Sequence, residues 1–127
     1  MKKILIIDDE IEIVELIETL LEMEYEAEII KANDGKEGID KIKSFNDIDL
    51  IISDVNMPEV GGREVFQSNL ENKNTAFIIM TGSDDLEVEF VEKFSNANPH
   101  NRVLPKPWKP EHLLQVISDV LEDKISA

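Results

Sequence analysis

The sequence contains no cysteine among its 127 residues, which excludes a disulfide framework and a thiolate site. It has no apolar run approaching the roughly 20 residues of a membrane span. The two lysines near the amino terminus are followed by only four apolar residues before the first aspartate, whereas the core of a signal peptide needs roughly 7–15. We therefore expect a cytoplasmic protein with no membrane partner.

Basic residues are also scarce. The 13 lysines and arginines are outnumbered by 28 acidic residues, so the formal net charge is −15. Such a chain repels nucleic acid and anionic lipid, and we expect no nucleic-acid partner. A hydrophobic fraction of 42% supports a packed core, and the length suits one domain spanning residues 1–127. Because the last helical pattern stops close to Ala127, we expect no effector domain.

Short apolar runs alternate with longer segments of helical period, which is typical of an α/β protein with a doubly wound parallel sheet. Asp9 is a candidate N-cap for the first helix, and a polar loop is expected over residues 96–101. The pattern predicts five strands, near residues 3–8, 27–31, 49–53, 75–80 and 102–104, and five helices, near residues 10–23, 36–45, 63–70, 84–94 and from 110 onward.

Four of the predicted strands end in residues that can bind phosphate or a metal. These residues are the pair Asp8-Asp9, then Asp54, Thr81 and Lys106. The carboxyl ends of parallel strands lie at one edge of the sheet, where ligands bind in open α/β folds. Two carboxylates about 5 Å apart repel by roughly 3 kcal/mol at an effective dielectric of 20, so the cluster calls for a cation. Mg²⁺ prefers such oxygen ligands.

Each of these residues also has an ordinary structural role. An aspartate can cap a helix or form a turn, a lone threonine commonly bonds to the backbone, and a lysine is usually a surface residue. Lys106 differs because Pro105 and Pro107 restrict the backbone on both sides. One interpretation uses every member: a phosphoryl group on Asp54 whose oxygens meet Mg²⁺, the Thr81 hydroxyl and the Lys106 ammonium.

Taken in order, these motifs resemble the receiver domain of bacterial response regulators over the whole chain. The matching segments are Asp8-Asp9, the run from Asp54 to Pro58, Gly62, Thr81-Gly82 and Lys106-Pro107. The resemblance implies a flavodoxin-like fold, with a five-stranded parallel sheet in the order 2-1-3-4-5 and five helices.

The resemblance also implies a function, namely a phosphorylation-activated switch that acts by binding another protein. Asp54 would accept a phosphoryl group from a histidine kinase or a histidine phosphotransfer protein. The protein would not be a conventional enzyme. The cofactor would be Mg²⁺ (or Mn²⁺). The implied residue roles are metal binding by Asp8, Asp9, Asp54 and the backbone carbonyl of Asn56, phosphoryl contact by Thr81 and Lys106, and tuning of the phosphoryl lifetime by Asn56 and Ser83.

Three positions depart from the family pattern. Val103 stands three residues before Lys106, where the family usually has tyrosine or phenylalanine, so its threonine–aromatic switch is not expected here. The 96–101 segment is longer than usual, and Gly61 stands where aspartate is common. Trp108, the only tryptophan, is interpreted as an anchor for the last loop, and His100 and His112 as surface residues.

Three other functions share part of the pattern. A haloacid-dehalogenase-like phosphatase would need an Asp-x-Asp motif after the first strand and usually a cap domain. A flavodoxin-like electron carrier would need a phosphate cradle where Asp8-Asp9 stands, and no glycine-rich dinucleotide fingerprint is present there. A pseudo-receiver that is never phosphorylated is the third alternative, although the predicted pocket is complete.

Overall fold

Five parallel strands form one sheet in the order β2-β1-β3-β4-β5, as the resemblance implied. The computed structural model describes residues 1–82 and 86–126. Side chains are described for residues 1–82 and 86–122. The elements are β1 (Lys2–Ile7), α1 (Ile11–Glu24), β2 (Ala27–Ala32), α2 (Gly35–Ser44), β3 (Leu50–Asp54), α3 (Gly62–Asn72), β4 (Phe77–Thr81), α4 (Val88–Ala97), β5 (Arg102–Pro105) and α5 (Pro110–Ser126).

Both faces of the sheet are covered, because side chains along each strand alternate between two apolar layers. Ile4 and Ile6 of β1 belong to the layer that packs against α1 and α5. Leu5 and Ile7 belong to the opposite layer, which packs against α2, α3 and α4. The three central strands are therefore almost wholly apolar and lack the alternation of a half-exposed strand.

Each of the five strands ends one residue from its expected position, and at two of them the shift places a site residue within the strand. Asp54 is the last residue of β3 and pairs with Met80 of β4, so it belongs to the sheet rather than to the following loop. Thr81 is likewise the last residue of β4. Both side chains are thus held by strand backbone at the carboxyl edge.

The predicted N-cap of α1 was wrong. The N-cap is Glu10, which makes no side-chain capping bond. Instead, the Asp8 carboxylate accepts a 2.9 Å hydrogen bond from the Glu10 backbone N–H. A carboxylate two residues before the N-cap therefore fixes the entry to the helix, and Asp9 is left exposed.

The α4 region also differs from the expectation. The helix begins at Val88, and the predicted start at Asp84 lies outside the described residues. It continues to Ala97, so the first part of the expected 96–101 loop is helical. Asn101, at the end of that segment, is buried and bonds to the backbone of Phe77 and Phe94.

Candidate functional site

The four predicted strand-end positions meet at one edge of the sheet. Asp8 directly follows β1, Asp54 ends β3, Thr81 ends β4 and Lys106 directly follows β5. The Lys106 backbone N–H donates a 2.7 Å hydrogen bond to the Thr81 carbonyl, so the sheet pairing extends to the lysine. The Lys106-Pro107 peptide bond is cis. Side chains far apart in the sequence are thereby fixed within one small region.

Three carboxylates form a cluster there. Asp8, Asp9 and Asp54 each offer an oxygen, and these oxygens lie within 4.8 Å of one another. Asp8 is 2% exposed and Asp54 is 4% exposed, whereas Asp9 faces solvent. One oxygen of Asp8 is engaged by the Glu10 N–H. The cluster therefore combines two buried carboxylates with a third at the open side.

Lys106 supplies a balancing positive charge. Its ammonium forms an ion pair with Oδ1 of Asp54, and the lysine side chain remains 38% exposed. Oδ1 is itself buried, and within the described residues no conventional hydrogen bond reaches it beyond this ion pair. Three carboxylates and one ammonium leave the cluster with excess negative charge.

Burial and the neighbouring charges shift the pKa values of Asp8, Asp54 and Lys106. Burial raises the pKa of Asp8 to about 6, with the charges of Asp54 and Asp9 adding to the rise and the Glu10 N–H and Lys106 opposing it. Burial also raises the pKa of Asp54, against the opposing ion pair with Lys106. Burial of the Lys106 ammonium favours its neutral form, but the Asp54 ion pair and the charge of Asp8 outweigh this and raise its pKa.

This donor set fits a hard divalent cation. Mg²⁺ takes one or two protein carboxylates and keeps water or phosphate oxygens in its remaining positions. The cluster offers carboxylate oxygens, one of them exposed to solvent, and carries a negative charge that a cation would neutralise. Asn56 lies two residues beyond Asp54 in an exposed loop, where it lines a separate cavity with Met57 and Glu59.

Thr81 lies at the same edge but does not bond to the carboxylates. It is 6% exposed, and its hydroxyl donates a 2.9 Å hydrogen bond to the carbonyl of Gly82. Ser83, the other predicted residue of this segment, lies outside the described residues. The structure thus brings together Asp8, Asp9, Asp54 and Lys106, while the Thr81 hydroxyl is engaged by its own backbone.

No aromatic ring projects from β5. Val103 is half-buried and packs in the apolar layer that contains Phe66, Phe90 and Phe94. The rings in this layer belong to α3, β4 and α4 and to Phe45 at the end of α2, with the Phe66 and Phe94 centroids 5.1 Å apart. Aromatic packing here joins α3 to α4.

Trp108 is partly buried against the opposite layer, which agrees with its interpretation as an anchor. His100 is half-buried and His112 is exposed.

Glu10 was not identified as a site residue from the sequence, and Gly62 was identified only as a motif position, without its contact with Asp54. Glu10 lines a cavity together with Asp8 and Lys106, yet it reads as one of many surface glutamates. Gly62 starts α3 directly against Asp54: a Cβ on Gly62 would lie 2.5 Å from the Asp54 carbonyl oxygen. The Gly61-Gly62 pair marks a loop in the sequence, but nothing in it indicates that close approach.

The fold is a flavodoxin-like α/β domain, and a carboxylate–lysine cluster lies at the carboxyl edge of its sheet. Residues 4–118 match the family model of the response regulator receiver domain. The chain therefore belongs to the response regulator receiver family of two-component systems.

Relatives support this assignment. The response regulator ArlR of Staphylococcus saprophyticus is 34% identical over 122 residues, covering 95% of this chain and 53% of ArlR. The probable chemotaxis protein CheY of Rhizobium etli is 34% identical over 121 residues, covering 93% of this chain and 91% of that protein. The chain spans about half the length of ArlR and of the CpxR proteins that it also resembles.

Solved structures agree with the sequence relatives. The response regulator TrrA of Thermotoga maritima, in complex with Mg²⁺-BeF, has a TM-score of 0.75 at 30% identity, covering 94% of this chain and 99% of that one. The chemotaxis protein CheY4 of Vibrio cholerae has a TM-score of 0.77 at 29% identity, covering 94% of this chain and 98% of that one. Among the described residues, no helix is both long and apolar enough to cross a membrane.

Proposed function

We propose that this receiver domain is a phosphorylation-activated switch and that Asp54 is its phosphoacceptor. The observation that carries the proposal is the buried Asp54 carboxylate, which is paired with Lys106 and lies within 4.8 Å of two further carboxylates. A carboxylate in this position is a nucleophile with a cationic partner already in place. The family match favours this function over the haloacid-dehalogenase-like alternative.

Asp8, Asp9, Asp54 and the backbone carbonyl of Asn56 would hold Mg²⁺ (or Mn²⁺). When bound, the cation would neutralise charge on the carboxylates and on the oxygens of an incoming phosphoryl group. The relative TrrA, whose structure contains Mg²⁺-BeF, supports this cofactor. The excess negative charge of the described cluster supports it independently.

In the transfer step, an oxygen of Asp54 attacks phosphorus in line with the bond to the donor. That bond breaks, and its electron pair leaves with the donor atom. The Lys106 ammonium shifts from the carboxylate toward the phosphoryl oxygens and balances their charge. The Thr81 hydroxyl turns from the Gly82 carbonyl to donate to one of the same oxygens, which couples phosphorylation to a local change at the end of β4.

Loss of the phosphoryl group follows by attack of water on phosphorus, and we propose that Asn56 and Ser83 tune this rate. The donor would be a phosphohistidine of a histidine kinase or of a histidine phosphotransfer protein, and the output a protein–protein interaction. The transcriptional functions named for the CpxR relatives belong to chains about twice this length. Nothing in the strongly acidic composition favours nucleic-acid binding by this domain itself.

The test is incubation with acetyl phosphate, with and without Mg²⁺, followed by measurement of intact mass. We expect a metal-dependent gain of one phosphoryl group that disappears in Asp54→Asn and persists in Asp40→Asn, a matched change at an exposed residue of α2. No gain at any donor concentration, with circular dichroism showing an intact fold, would establish the pseudo-receiver alternative instead.

A further inference from the structure

A cavity of about 440 Å³ borders the loop between β3 and α3. Asn56, whose backbone carbonyl is a predicted metal ligand, lies on its wall together with Met57 and Glu59. Arg63 of α3 lies on the same wall. Any rearrangement of this loop, such as the Asn56 carbonyl turning toward a cation, therefore changes the surroundings of Arg63.

The first turn of α3 is also fixed against the end of β3. The Gly62 N–H donates a 2.8 Å hydrogen bond to the Val55 carbonyl. A Cβ on Gly62 would lie 2.5 Å from the Asp54 carbonyl oxygen, so the two backbones are in close contact. Because Gly62 has no side chain, Arg63 is the first residue of α3 whose side chain can reach another element.

The Arg63 guanidinium contacts the start of α4 in two ways. Its Nη2 lies 3.1 Å from Oε1 of Glu87, and its Cζ lies 5.7 Å from the centre of the Phe90 ring. Both distances are within the range of favourable ion-pair and cation–π contacts. Glu87 is the N-cap of α4 but makes no side-chain capping bond, so its carboxylate bonds to α3 rather than to its own helix.

Phe90 connects this contact to the packing of α4. Its ring lies edge-to-face with Phe66 at 5.5 Å between centroids and is stacked on Phe94 at 6.1 Å. Densely packed groups of this kind shift between discrete arrangements rather than deforming continuously. We therefore expect a displacement of Arg63 to move the first turns of α4 as a unit.

The far end of α4 is anchored by asparagine side chains. Asn101 donates a 2.9 Å hydrogen bond to the Phe94 carbonyl, and Asn74 donates one of 2.9 Å to the Ala97 carbonyl. Asn98, the C-cap, donates a third to the Asn74 carbonyl, also at 2.9 Å. The carboxyl end of the helix is thus bonded to two neighbouring loops, and movement should be concentrated at its amino end.

We propose that Arg63 couples occupancy of the site at Asp54 to the position of α4. The inference rests on the proposed function, because it assigns the route by which the switch reaches the protein surface. Val103 stands on β5 where an aromatic residue was expected from the family pattern, and the bridge from α3 supplies a different connection. Arg63 is a positioning residue, since it contacts α4 and the loop that holds Asn56 rather than the reacting atoms.

The experiment measures hydrogen exchange of the α4 amides with and without beryllofluoride and Mg²⁺, a stable substitute for the phosphoryl group. Fluorine NMR of bound beryllofluoride measures occupancy of the site separately. In the unmodified chain, we expect exchange over residues 88–91 to change by about fivefold or more, the lower end of the range for coupled sites. The change over residues 94–97 should be smaller.

Arg63→Met removes the charge and keeps a long side chain over Phe90. We expect it to bind beryllofluoride but to reduce the change over residues 88–91 to less than about twofold. Arg63→Lys restores a charge opposite Glu87 and should recover part of the response, which a purely space-filling role would not require. Lys93→Met is the matched control and should leave the response unchanged, because the 2.8 Å bond from Lys93 to Gln67 joins the same helices away from the loop.

Glu87→Gln tests the same ion pair from the side of α4. The Glu87 side chain is 70% exposed and makes no capping bond, so this variant serves if Arg63→Met does not fold. It should also weaken the response over residues 88–91. If the two residues act as a pair, combining Arg63→Met with Glu87→Gln should reduce the response no further than Arg63→Met alone.

The outcomes separate this inference from the proposed function. Beryllofluoride binding without any change in α4 of the unmodified chain would overturn the coupling, as would a full change in both Arg63→Met and Glu87→Gln. Either result would leave Asp54 as the phosphoacceptor. A folded, unmodified chain that neither binds beryllofluoride nor gains mass from acetyl phosphate would overturn the switch and the coupling together.

Discussion

The side chain of Asn101 accepts a 2.9 Å hydrogen bond from the backbone N–H of Phe77, the first residue of β4. The amide nitrogen of Asn101 also donates a 2.9 Å bond to the Phe94 carbonyl in α4. One buried side chain therefore bonds to the backbone of both β4 and α4, which are consecutive elements. It completes backbone bonding at the end of the sheet opposite the functional site.

Asn101→Ala should lower the free energy of unfolding by about 2–4 kcal/mol, because it leaves a buried N–H and a buried carbonyl without partners. Urea unfolding followed by circular dichroism measures this change. Asn72→Ala is the control, since its amide donates to the exposed carbonyl and hydroxyl of Ser68 within the same helix, and its effect should stay within about 0.5 kcal/mol. Equal effects of the two variants would contradict the role assigned to Asn101.

Gly62→Ala should displace the backbone of Asp54. A Cβ here would lie 2.5 Å from the Asp54 carbonyl oxygen, so either α3 or the end of β3 must move. We expect a loss of about 1–3 kcal/mol in stability and slower phosphorylation of Asp54. Glu71→Ala, exposed on the same helix, should leave both unchanged. A Gly62→Ala chain that is phosphorylated at the normal rate would show that this close approach is not needed.

Asp8 should make the metal-free protein more stable as the pH falls. Burial raises its pKa to about 6 in the folded chain from 3.8 when unfolded, so the folded state binds more protons between these values. The contribution of Asp8 to the free energy of unfolding is therefore greatest below about pH 4. It falls by up to about 3 kcal/mol as the pH rises through 6. Asp8→Asn should remove this dependence when unfolding is compared at pH 5 and pH 7.5. An unchanged pH profile in the variant would contradict the raised pKa.

The same proton should compete with Mg²⁺. Because a metal ligand must be deprotonated, affinity for the cation should fall as pH drops below about 6. Calorimetric titration at pH 5 and pH 7.5 measures this, and proton uptake by the buffer should accompany binding near pH 6. Affinity that is equal at both values would exclude Asp8 from the metal site.

Trp108 should report on the site optically. Its ring lines the cavity whose inner end is Asp8 and Lys106, so charge neutralisation there changes the surroundings of the indole. We expect the emission of the single tryptophan to change on addition of Mg²⁺ or of beryllofluoride with Mg²⁺, and Asp54→Asn to abolish the beryllofluoride response. A flat signal in both titrations would show that Trp108 does not sense the site.

The sequence predicted the sheet and the convergence of its strand ends because both depend on long, strongly apolar segments with repeated order. Ile4–Ile7 and Leu50–Ile52 are short, wholly apolar runs, and both are fully buried in strands of the sheet. The same reasoning placed Asp8, Asp54 and Lys106 at one edge. It could not give the direction of the Thr81 hydroxyl, since a bond to Gly82 and a bond to a phosphoryl oxygen differ by one side-chain rotation.

The errors arose where a polar residue has a structural role. Asn101 does lie in the predicted loop, but its burial was not predicted, because a buried asparagine leaves no periodic signal. Asp9 was expected to cap α1, but adjacent aspartates offer two candidates, and only the folded chain shows that Asp8 receives the Glu10 N–H. Hydrophobic pattern thus indicates which segments are buried, while the partners of buried polar groups emerge only from tertiary packing.

The residues at the functional edge come from four strands separated along the whole chain, and the sheet joins them only when β1, β3, β4 and β5 have all paired. A partly folded chain consequently has neither the carboxylate cluster nor the lysine that faces it. Under the proposed function, phosphorylation of Asp54 therefore requires a fully paired sheet, and a chain that lacks one of these strands should not accept a phosphoryl group.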